Sequence, residues 1–431
     1  MNLEVIDNPA RKNWDALFRR PGLDVTTLFD TVREILEDVR GNGDDAVRRY
    51  TSKFDGVELR NLNVTEAEFE EAESVLPAEL KEALRQASSN IESFHAVQRE
   101  NPVIVETMPG VRCWRKSVAI ERVGLYIPGG TAPLFSSVLM LGIPARLAGC
   151  RNIVLTTPPD SDGKIHPAIL FAARITGIST VIKAGGAQAI AALAYGTESI
   201  PKVDKIFGPG NQYVTAAKQW VSLSGTAIDM PAGPSEVAVI ADDSADPAFV
   251  ASDLLAQAEH GSDSQVILFT TSNELLIDVQ KEIIRQLENL PRKDMAAASL
   301  ANSKVILAKD LDEAMDMSNA YAPEHLIIAT ANARELAEKV VNAGSVFVGH
   351  FTPESAGDYA SGTNHTLPTN GAARAYSGVS LDSYFKKVTF QDISRNGLEQ
   401  LGNTVEVMAE AEQLDAHAFA VKVRRQKLRD S

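Results

Sequence analysis

Two side chains near the end of one predicted helix could bind a metal ion together. In the segment LLAQAEHGSDSQV, Gln257 and His260 are three positions apart, which places them roughly 60° apart around a helix axis. Both side chains can therefore face one point. Glutamine is an unusual metal ligand, however, and a solvated helix end explains these two residues more simply when they are taken alone.

An adjacent carboxylate and imidazole stand directly before a predicted strand. In YAPEHLII, Glu324 and His325 could share acid–base chemistry, because ligands of parallel α/β sheets bind where strands meet loops. Neighbouring side chains in an extended segment point to opposite sides, so both reach one site only if the chain bends there. Without such a bend, an exposed Glu–His pair is the simpler interpretation.

Other candidates lie nearer the C-terminus. Asp358 and His365 fall in residues 351–380, a stretch rich in Gly, Ser, Thr, Asn and Pro that indicates a long functional loop. Gly357 beside Asp358 would let the backbone approach a ligand, although a turn-forming aspartate is the alternative. Glu412 and His417 are five apart in a predicted helix, about 140° of rotation, so one helix face does not present both.

Three glycine-rich segments, GLYIPGG, GGAQAI and FGPGN, follow predicted strands, and the last two open helices. Backbone N–H groups at such helix starts can bind phosphate or carboxylate, but tight turns explain the glycines equally well. None of the three matches the GxGxxG dinucleotide motif. Ser235 in AIDMPAGPSEV could contact a substrate or satisfy its own turn, and Cys113 and Cys150 are expected to be packed thiols.

The elements that must position these residues follow a regular alternation. Residues 25–98 show helical periodicity, and from Ser117 short apolar runs alternate with helical stretches, a pattern that begins again at Glu236. Helical periodicity returns from Gly397. This predicts an α/β fold of two stacked Rossmann-like units, incomplete because the GxGxxG motif is missing, with helical N-terminal and C-terminal segments.

Composition excludes several classes of protein. The 431 residues are 44% hydrophobic and 23% charged, with a formal net charge of -15, which disfavours nucleic acids and anionic membranes as partners. The N-terminus has no apolar signal-peptide core, and the longest apolar run, 138–147, is too short and too interrupted to cross a bilayer. Two distant cysteines indicate a reducing compartment, so we expect a soluble cytoplasmic protein.

Taken in order, these motifs resemble the histidinol dehydrogenase family from near the N-terminus to the C-terminal AEAEQLDAH. The resemblance implies the last step of histidine biosynthesis, in which two NAD oxidise L-histidinol through L-histidinaldehyde to L-histidine. It also implies one Zn²⁺ per subunit and a homodimer whose site is shared between subunits. Nitrogen and oxygen donors without thiolate suit Zn²⁺, and Mn²⁺, Co²⁺ or Fe²⁺ fit the same donors.

The resemblance also implies roles for individual residues. Glu324 and His325 are the implied acid–base pair. The implied metal ligands are Gln257, His260, Asp358 and His417. The implied NAD site has Tyr126, Gln188 and Asn211. The implied substrate contacts are Ser235, Gln257, His260, His325, Asp358, Glu412 and His417.

The predicted domain organisation is a helical N-terminal segment (1–24), a first α/β domain (25–125 with 236–380), an inserted second α/β domain (126–235) and a helical C-terminal domain (381–431). We expect the first domain to carry the metal and catalytic residues, the second to contribute the NAD site, and the last to make the dimer contact. An alternative is a metal-dependent NAD dehydrogenase of another amino alcohol or a polyol. A non-catalytic metal-binding protein is disfavoured, because a binder needs no base beside its ligands.

Overall fold

The computed structural model describes residues 3–21, 25–129, 132–230 and 233–430. Gly130 of GLYIPGG, and Pro231 and Ala232 of IDMPAGPSEV, fall outside the described residues. The chain divides into two compact units. The first unit comprises Met1–Gln98 with Glu121–Ser383, and the second comprises Arg99–Ile120 with Tyr384–Ser431.

The described strands, in chain order, are β1 (Glu4–Asp7), β2 (Ile104–Met108), β3 (Val111–Ala119), β4 (Arg122–Tyr126), β5 (Asn152–Thr157), β6 (Thr180–Lys183), β7 (Lys205–Phe207), β8 (Ala227–Ile228), β9 (Glu236–Ala241), β10 (Gln265–Thr270), β11 (Lys304–Leu307), β12 (His325–Ala329), β13 (Ser345–Val348) and β14 (Phe385–Ile393). The described α-helices are α1 (Trp14–Leu17), α2 (Phe29–Asp55), α3 (Glu66–Val75), α4 (Ala78–Ala96), α5 (Phe135–Ala148), α6 (Pro167–Thr176), α7 (Gly186–Tyr195), α8 (Gln212–Ser222), α9 (Pro247–Ala258), α10 (Asn273–Leu287), α11 (Lys293–Leu300), α12 (Leu311–Tyr321), α13 (Ala333–Ala337), α14 (Glu354–Tyr359), α15 (Arg395–Ala411) and α16 (Asp415–Arg429). Short 3-10 turns lie at Arg11–Asn13, Val25–Leu28, Ala372–Arg374 and Leu381–Tyr384.

The larger sheet of the first unit joins six described strands, all parallel, in the order β1-β11-β10-β9-β12-β13. Strands β9, β10 and β12 are buried at every position. In β9, Val237 and Val239 belong to one core cluster, whereas Ala238 and Ile240 belong to another. Side chains alternate between the faces of a strand, so these two cores cover opposite faces, which explains the uninterrupted apolar sequence of the strand.

A second parallel sheet in the same unit has five described strands in the order β6-β5-β4-β7-β8. One of its cores includes residues of α2, α7 and α8, such as Val32, Leu36 and Ile190. Helix α2 ends at Asp55 with Gly56 in the left-handed conformation, φ 73°. Helix α2 therefore packs in the same core as helices α7 and α8 of this sheet.

The second unit contains an antiparallel sheet in the order β14-β3-β2, followed by helices α15 and α16. Residues 385–393 form strand β14, and residues 4–7 form strand β1, in two segments for which the sequence indicated helix only. Both strands are short or exposed, so their apolar pattern is weak.

The α/β fold with two parallel sheets, predicted from the alternating apolar runs, is confirmed. The domain boundaries drawn from the sequence stay a prediction. No helix among the described residues is long and apolar enough to cross a membrane.

Candidate active site

The predicted acid–base pair lies at the amino end of strand β12, in the six-stranded sheet. His325 is the first residue of the strand, and Ala322 before it has the left-handed backbone φ of 55°. In the structure, Glu324 Oε2 lies 3.7 Å from His325 Nδ1. The two neighbouring side chains therefore meet at one place, at the opposite end of the sheet from the usual ligand edge.

The backbone of Glu236, the first residue of β9, holds both members of the pair. Its N–H donates to Glu324 Oε2 at 3.0 Å, and its carbonyl oxygen lies 3.3 Å from His325 Nδ1. A carbonyl oxygen can only accept, so the ring proton of His325 is on Nδ1. The other ring nitrogen, Nε2, is buried 3.5 Å from Asp358 Oδ1 and makes no closer polar contact with the described residues.

The Glu236 side chain is fixed in turn by Arg20. The guanidinium binds both carboxylate oxygens of Glu236, with Nη2 2.9 Å from Oε1, and its carbon lies 3.9 Å from the ring centre of Tyr321. Arg20 Nη2 also donates to the Tyr321 carbonyl at 2.7 Å. A planar, forked donor is required for this combination of stacking and bidentate binding.

We expect Arg20→Lys to lower kcat by about tenfold to a hundredfold, with a smaller effect on KM, because the carbonyl and N–H of Glu236 that orient the pair would shift. Steady-state kinetics alongside thermal melting would measure this. Arg11→Lys is the matched control, since Arg11 belongs to the same N-terminal segment and its side chain is 81% exposed. If kcat of Arg20→Lys fell only in proportion to the fraction of folded protein, Arg20 would contribute to stability and not to the orientation of the pair.

Three side chains of the first unit come together as a possible metal site. One ligand atom each from His260, Glu354 and Asp358 lies within 4.8 Å of the others. Helix α9 ends at Ala258, so Gln257 is in its last turn and His260 just beyond. Glu354 and Asp358 are four positions apart in α14, which presents both on one face.

Unpaired oxygen atoms around this cluster fit a bound cation. Within the described part of the chain, Gln257 Oε1, Glu354 Oε2 and Asp358 Oδ1 are buried without a hydrogen-bond partner. Leaving buried acceptors unpaired is costly, and a cation held between Glu354 and Asp358 would give both carboxylates a partner. The donor set is imidazole nitrogen and oxygen without thiolate, which suits zinc.

Burial and mutual charge shift the pKa values of Glu324, His325 and Glu354. Burial lowers the pKa of His325, but Glu354, Glu324 and Asp358 act against it and raise the pKa to about 10. Burial raises the pKa of Glu324 to about 7 and that of Glu354 to about 8. A cation held by Asp358 repels the imidazolium charge and so opposes the rise at His325, which favours the neutral ring that a base requires.

Two residues near the metal cluster were not assigned roles from the sequence. Glu354 was missed because residues 351–380 were interpreted as a loop, whereas the helical spacing of Glu354 and Asp358 was the available signal. His365 holds the Asp358 carbonyl through Nδ1 at 2.8 Å and accepts from Ser137 at 3.0 Å. A Cβ at Gly357 would lie 2.6 Å from the Phe347 ring, so packing by itself requires glycine at this position.

The predicted cofactor residues line one cavity of about 1460 Å³ within the first unit. Its wall includes Tyr126, Gln188, Asn211, Ser235 and, from the acid–base and metal cluster, His260 and Glu324. Gln257, His325 and Asp358 are not on the described wall. The cavity therefore joins the carboxyl end of β4, where Tyr126 lies, to the amino end of β12.

Local structure explains how the cofactor residues are held. Tyr126 is buried, and its hydroxyl accepts from the Gly186 N–H at the start of α7 at 3.1 Å. Asn211 caps α8 by accepting from the N–H groups of Tyr213 and Val214, which leaves its amide donors for a ligand. Gln188 Oε1 is buried without a partner among the described residues.

A buried ion pair supports the FGPGN turn of this wall. Lys218 Nζ binds Asp229 and donates to the Gly208 carbonyl at 2.8 Å, and the Gly208 N–H donates to Asp229 Oδ2 at 2.8 Å. Gly208 has φ of 126°, and a Cβ there would lie 2.0 Å from the Tyr126 carbonyl oxygen. The glycine is therefore required for the close approach of two cavity-forming segments.

Glu412 and His417 belong to the second unit, and both are exposed. Their predicted placement on one helix is wrong. Glu412 directly follows the last residue of α15, Gln413 has a left-handed φ of 60°, and His417 lies in the first turn of α16. Because the chain turns between α15 and α16, the directions of Glu412 and His417 are not set by the rotation of a single continuous helix.

Comparisons with known proteins agree along almost the whole chain. The family model described as histidinol dehydrogenase matches residues 18–425. The histidinol dehydrogenase of Bacteroides fragilis is 62% identical over 99% of this chain and 100% of its own length. The chain belongs to the histidinol dehydrogenase family.

Other similar proteins include the histidinol dehydrogenase of Xanthomonas euvesicatoria, 54% identical over 97% of both chains. The crystal structure of histidinol dehydrogenase from Elizabethkingia anophelis superposes with a TM-score of 0.97 at 54% identity, covering 99% of each chain. The sequence-based identification is confirmed, and with it the class of NAD- and zinc-dependent oxidoreductase of histidine biosynthesis.

Proposed function

We propose that this protein oxidises L-histidinol through L-histidinaldehyde to L-histidine, with two NAD, at a metal site completed by a second copy of the chain. The observation that carries the proposal is the convergence of a Glu324–His325 pair, a nitrogen and oxygen ligand cluster and one large cavity. The proposed metal ligands are Gln257, His260, Asp358 and His417. Tyr126, Gln188 and Asn211 would bind NAD, and Ser235 and Glu412 would contact substrate.

The chemistry can be divided between the two acid–base residues. When bound, the metal supplies a positive charge that orients the substrate nitrogens, and NAD accepts a hydride in each oxidation. His325 Nε2 takes the alcohol proton in the first oxidation and a hydroxyl proton of the hydrate in the second, because Nδ1 is committed to the Glu236 carbonyl. Glu324 orients water for addition to the aldehyde and takes its proton, which gives the hydrate that the second oxidation converts to the carboxylate.

Substrate specificity is tested by turnover of the purified, zinc-loaded protein. We expect two NADH per L-histidinol consumed, and much lower kcat/KM with other amino alcohols and with polyols. A faster reaction with a polyol or another amino alcohol would favour the alternative dehydrogenase. If the protein bound zinc but oxidised none of these substrates, an enzymatic function would be contradicted.

A homodimer with shared sites is supported by the surface of the second unit. His417 is exposed, and the exposed apolar side chains of the same helix pair include Met408 (60%), Leu414 (43%) and Phe419 (65%). Apolar surface beside an exposed candidate ligand favours burial against another chain. A second copy of the chain would supply His417 as a ligand, so no different partner protein is needed.

Mixing two inactive variants tests this sharing. Chains with His417→Ala and chains with His325→Ala should each be inactive, but refolding them together should restore activity, since one of the two sites in a mixed dimer is intact. A mixture of His325→Ala with His260→Ala is the control and should stay inactive, because both changes lie in the same unit. Verified mixed dimers without activity would contradict a site built from both chains.

We also propose that the enzyme works in the cytoplasm. Cys113 and Cys150 are free, as expected where thiols stay reduced. Burial raises the pKa of Cys150 to about 12, which agrees with a packed, unreactive thiol.

A further inference from the structure

One acidic side chain in the cavity wall has no role in the chemistry described above. Asp55 is the last residue of α2, and its side chain lines the cavity together with Tyr50 and Phe54 of the same helix. Its Oδ2 atom is buried and has no hydrogen-bond partner among the described residues. A buried carboxylate oxygen without a donor is costly to maintain, so a ligand donor is the simplest explanation for its retention.

The position of Asp55 points to the part of the cofactor remote from the chemistry. Burial alone raises its pKa to about 6, with no contribution from the charged groups around His325. Asp55 instead acts electrostatically on Tyr126, whose hydroxyl accepts from the first N–H of α7. The nicotinamide must reach the acid–base pair, whose Glu324 lies in the cavity wall, and a helix start such as that of α7 suits the pyrophosphate, which leaves the adenosine for Asp55.

The charge of the wall also bears on which cofactor fits. Its acidic members, as far as the structure describes it, are Glu34, Asp55, Asp160, Asp229, Asp263 and Glu324, whereas its lysines are Lys53 and Lys164. Lys164 is paired with Glu71 at 2.6 Å. No arginine is among the described wall residues, and arginine is the usual partner of the 2′-phosphate of NADP.

From this geometry we propose that Asp55 accepts hydrogen bonds from the adenosine ribose hydroxyls of NAD and makes the enzyme select NAD over NADP. The 2′-phosphate of NADP replaces one of those donors by a doubly charged acceptor, which the carboxylate repels. This inference rests on the proposed function only in its use of NAD. It can be tested by binding alone, without turnover.

The test uses the purified full-length protein with Asp55→Asn and Asp55→Ala. Calorimetry would measure binding of ADP-ribose, of its 2′-phosphorylated form and of nicotinamide mononucleotide. We expect both variants to bind ADP-ribose about tenfold or more weakly, as for loss of a hydrogen bond to a charged group. The preference for ADP-ribose over its 2′-phosphorylated form should fall by at least about tenfold, and binding of nicotinamide mononucleotide should stay unchanged.

Two controls separate this role from folding. Asp45→Asn removes an exposed carboxylate from the same helix and should change none of these affinities. The melting temperature of Asp55→Asn should equal or exceed that of the unmodified protein, because the substitution removes a buried, unpaired charge.

The inference is overturned if both Asp55 variants bind ADP-ribose normally with unchanged preference, if the unmodified protein does not bind ADP-ribose, or if nicotinamide mononucleotide is the weakened ligand. Failure of the unmodified protein to oxidise histidinol would overturn the proposed function instead. Even if the protein did not oxidise histidinol, ADP-ribose binding by the Asp55 variants would still test the proposed role of Asp55.

Discussion

Replacing His325 by asparagine should reduce NADH formation from histidinol and from supplied histidinaldehyde alike, by about 10² to 10⁴ in rate, the usual contribution of a general acid–base group. Asparagine can keep one hydrogen bond to the Glu236 carbonyl but has no basic nitrogen where Nε2 stands. The substitution thus removes the proton acceptor while changing the packing only moderately. The pre-steady-state rate of NADH formation is the relevant measurement.

Glu324→Gln should have a different effect. It keeps the size of the side chain and an oxygen that can accept the Glu236 N–H, but it removes the basic oxygen needed to activate water. In single-turnover experiments the first NADH should therefore form with a smaller defect than the second. Equal slowing of both phases would refute this division between Glu324 and His325.

The matched control for Glu324→Gln is Glu335→Gln, at an exposed position in α13. It makes the same chemical change away from the cavity and should leave both NADH phases unaltered. Bound zinc should be measured in every variant, so that loss of metal is separated from loss of acid–base catalysis.

The second large effect is expected at the metal cluster. His260→Ala should weaken zinc binding by more than about 100-fold, beyond the 10- to 100-fold typical of residues that only orient ligands, and activity should fall with the bound zinc. Elemental analysis against zinc concentration would measure the affinity, and thermal melting would establish that the fold survives. Retention of stoichiometric zinc would rule out His260 as a ligand.

Glu354 can be placed by the same experiment. It lies within the ligand cluster and also 3.7 Å from His325 Nδ1, so its carboxylate can serve the metal or the base. Glu354→Gln should reduce zinc affinity less than His260→Ala if it orients the cluster, and equally if it is a ligand. His350→Ala is the control, because His350 contacts Ser244 instead of the cluster.

Much of the fold follows from local sequence patterns. The apolar runs of β9, β10 and β12 indicate strands buried on both faces, since alternate residues supply two separate cores. Several helix starts are equally local: Asp246, Ser272, Asp310 and Ser394 each accept a backbone N–H of the helix that they begin. Such preferences depend on a few neighbouring residues and on the contrast between core and solvent.

The sequence also pointed to most residues of the candidate site, because the motif order is specific enough to indicate the family. What it could not indicate was the set of contacts between distant segments. Arg20 meets Glu236 across 216 positions, and only the packing of β9 against β12 lets that residue's backbone hold the acid–base pair. Asp55 gained a candidate role only when the end of α2 was seen in the cavity wall.

Secondary structure itself changed the interpretation of two segments. Glu354 became a candidate once residues 354–359 proved helical, and the relation of Glu412 to His417 changed once a helix break was found between them. By itself, then, the sequence determined the family, the alternation of strands and helices and most of the polar residues of the site. The tertiary structure decided which charges are buried together and which hydrogen bonds orient them, because burial and hydrogen bonding depend on segments that are far apart in the chain.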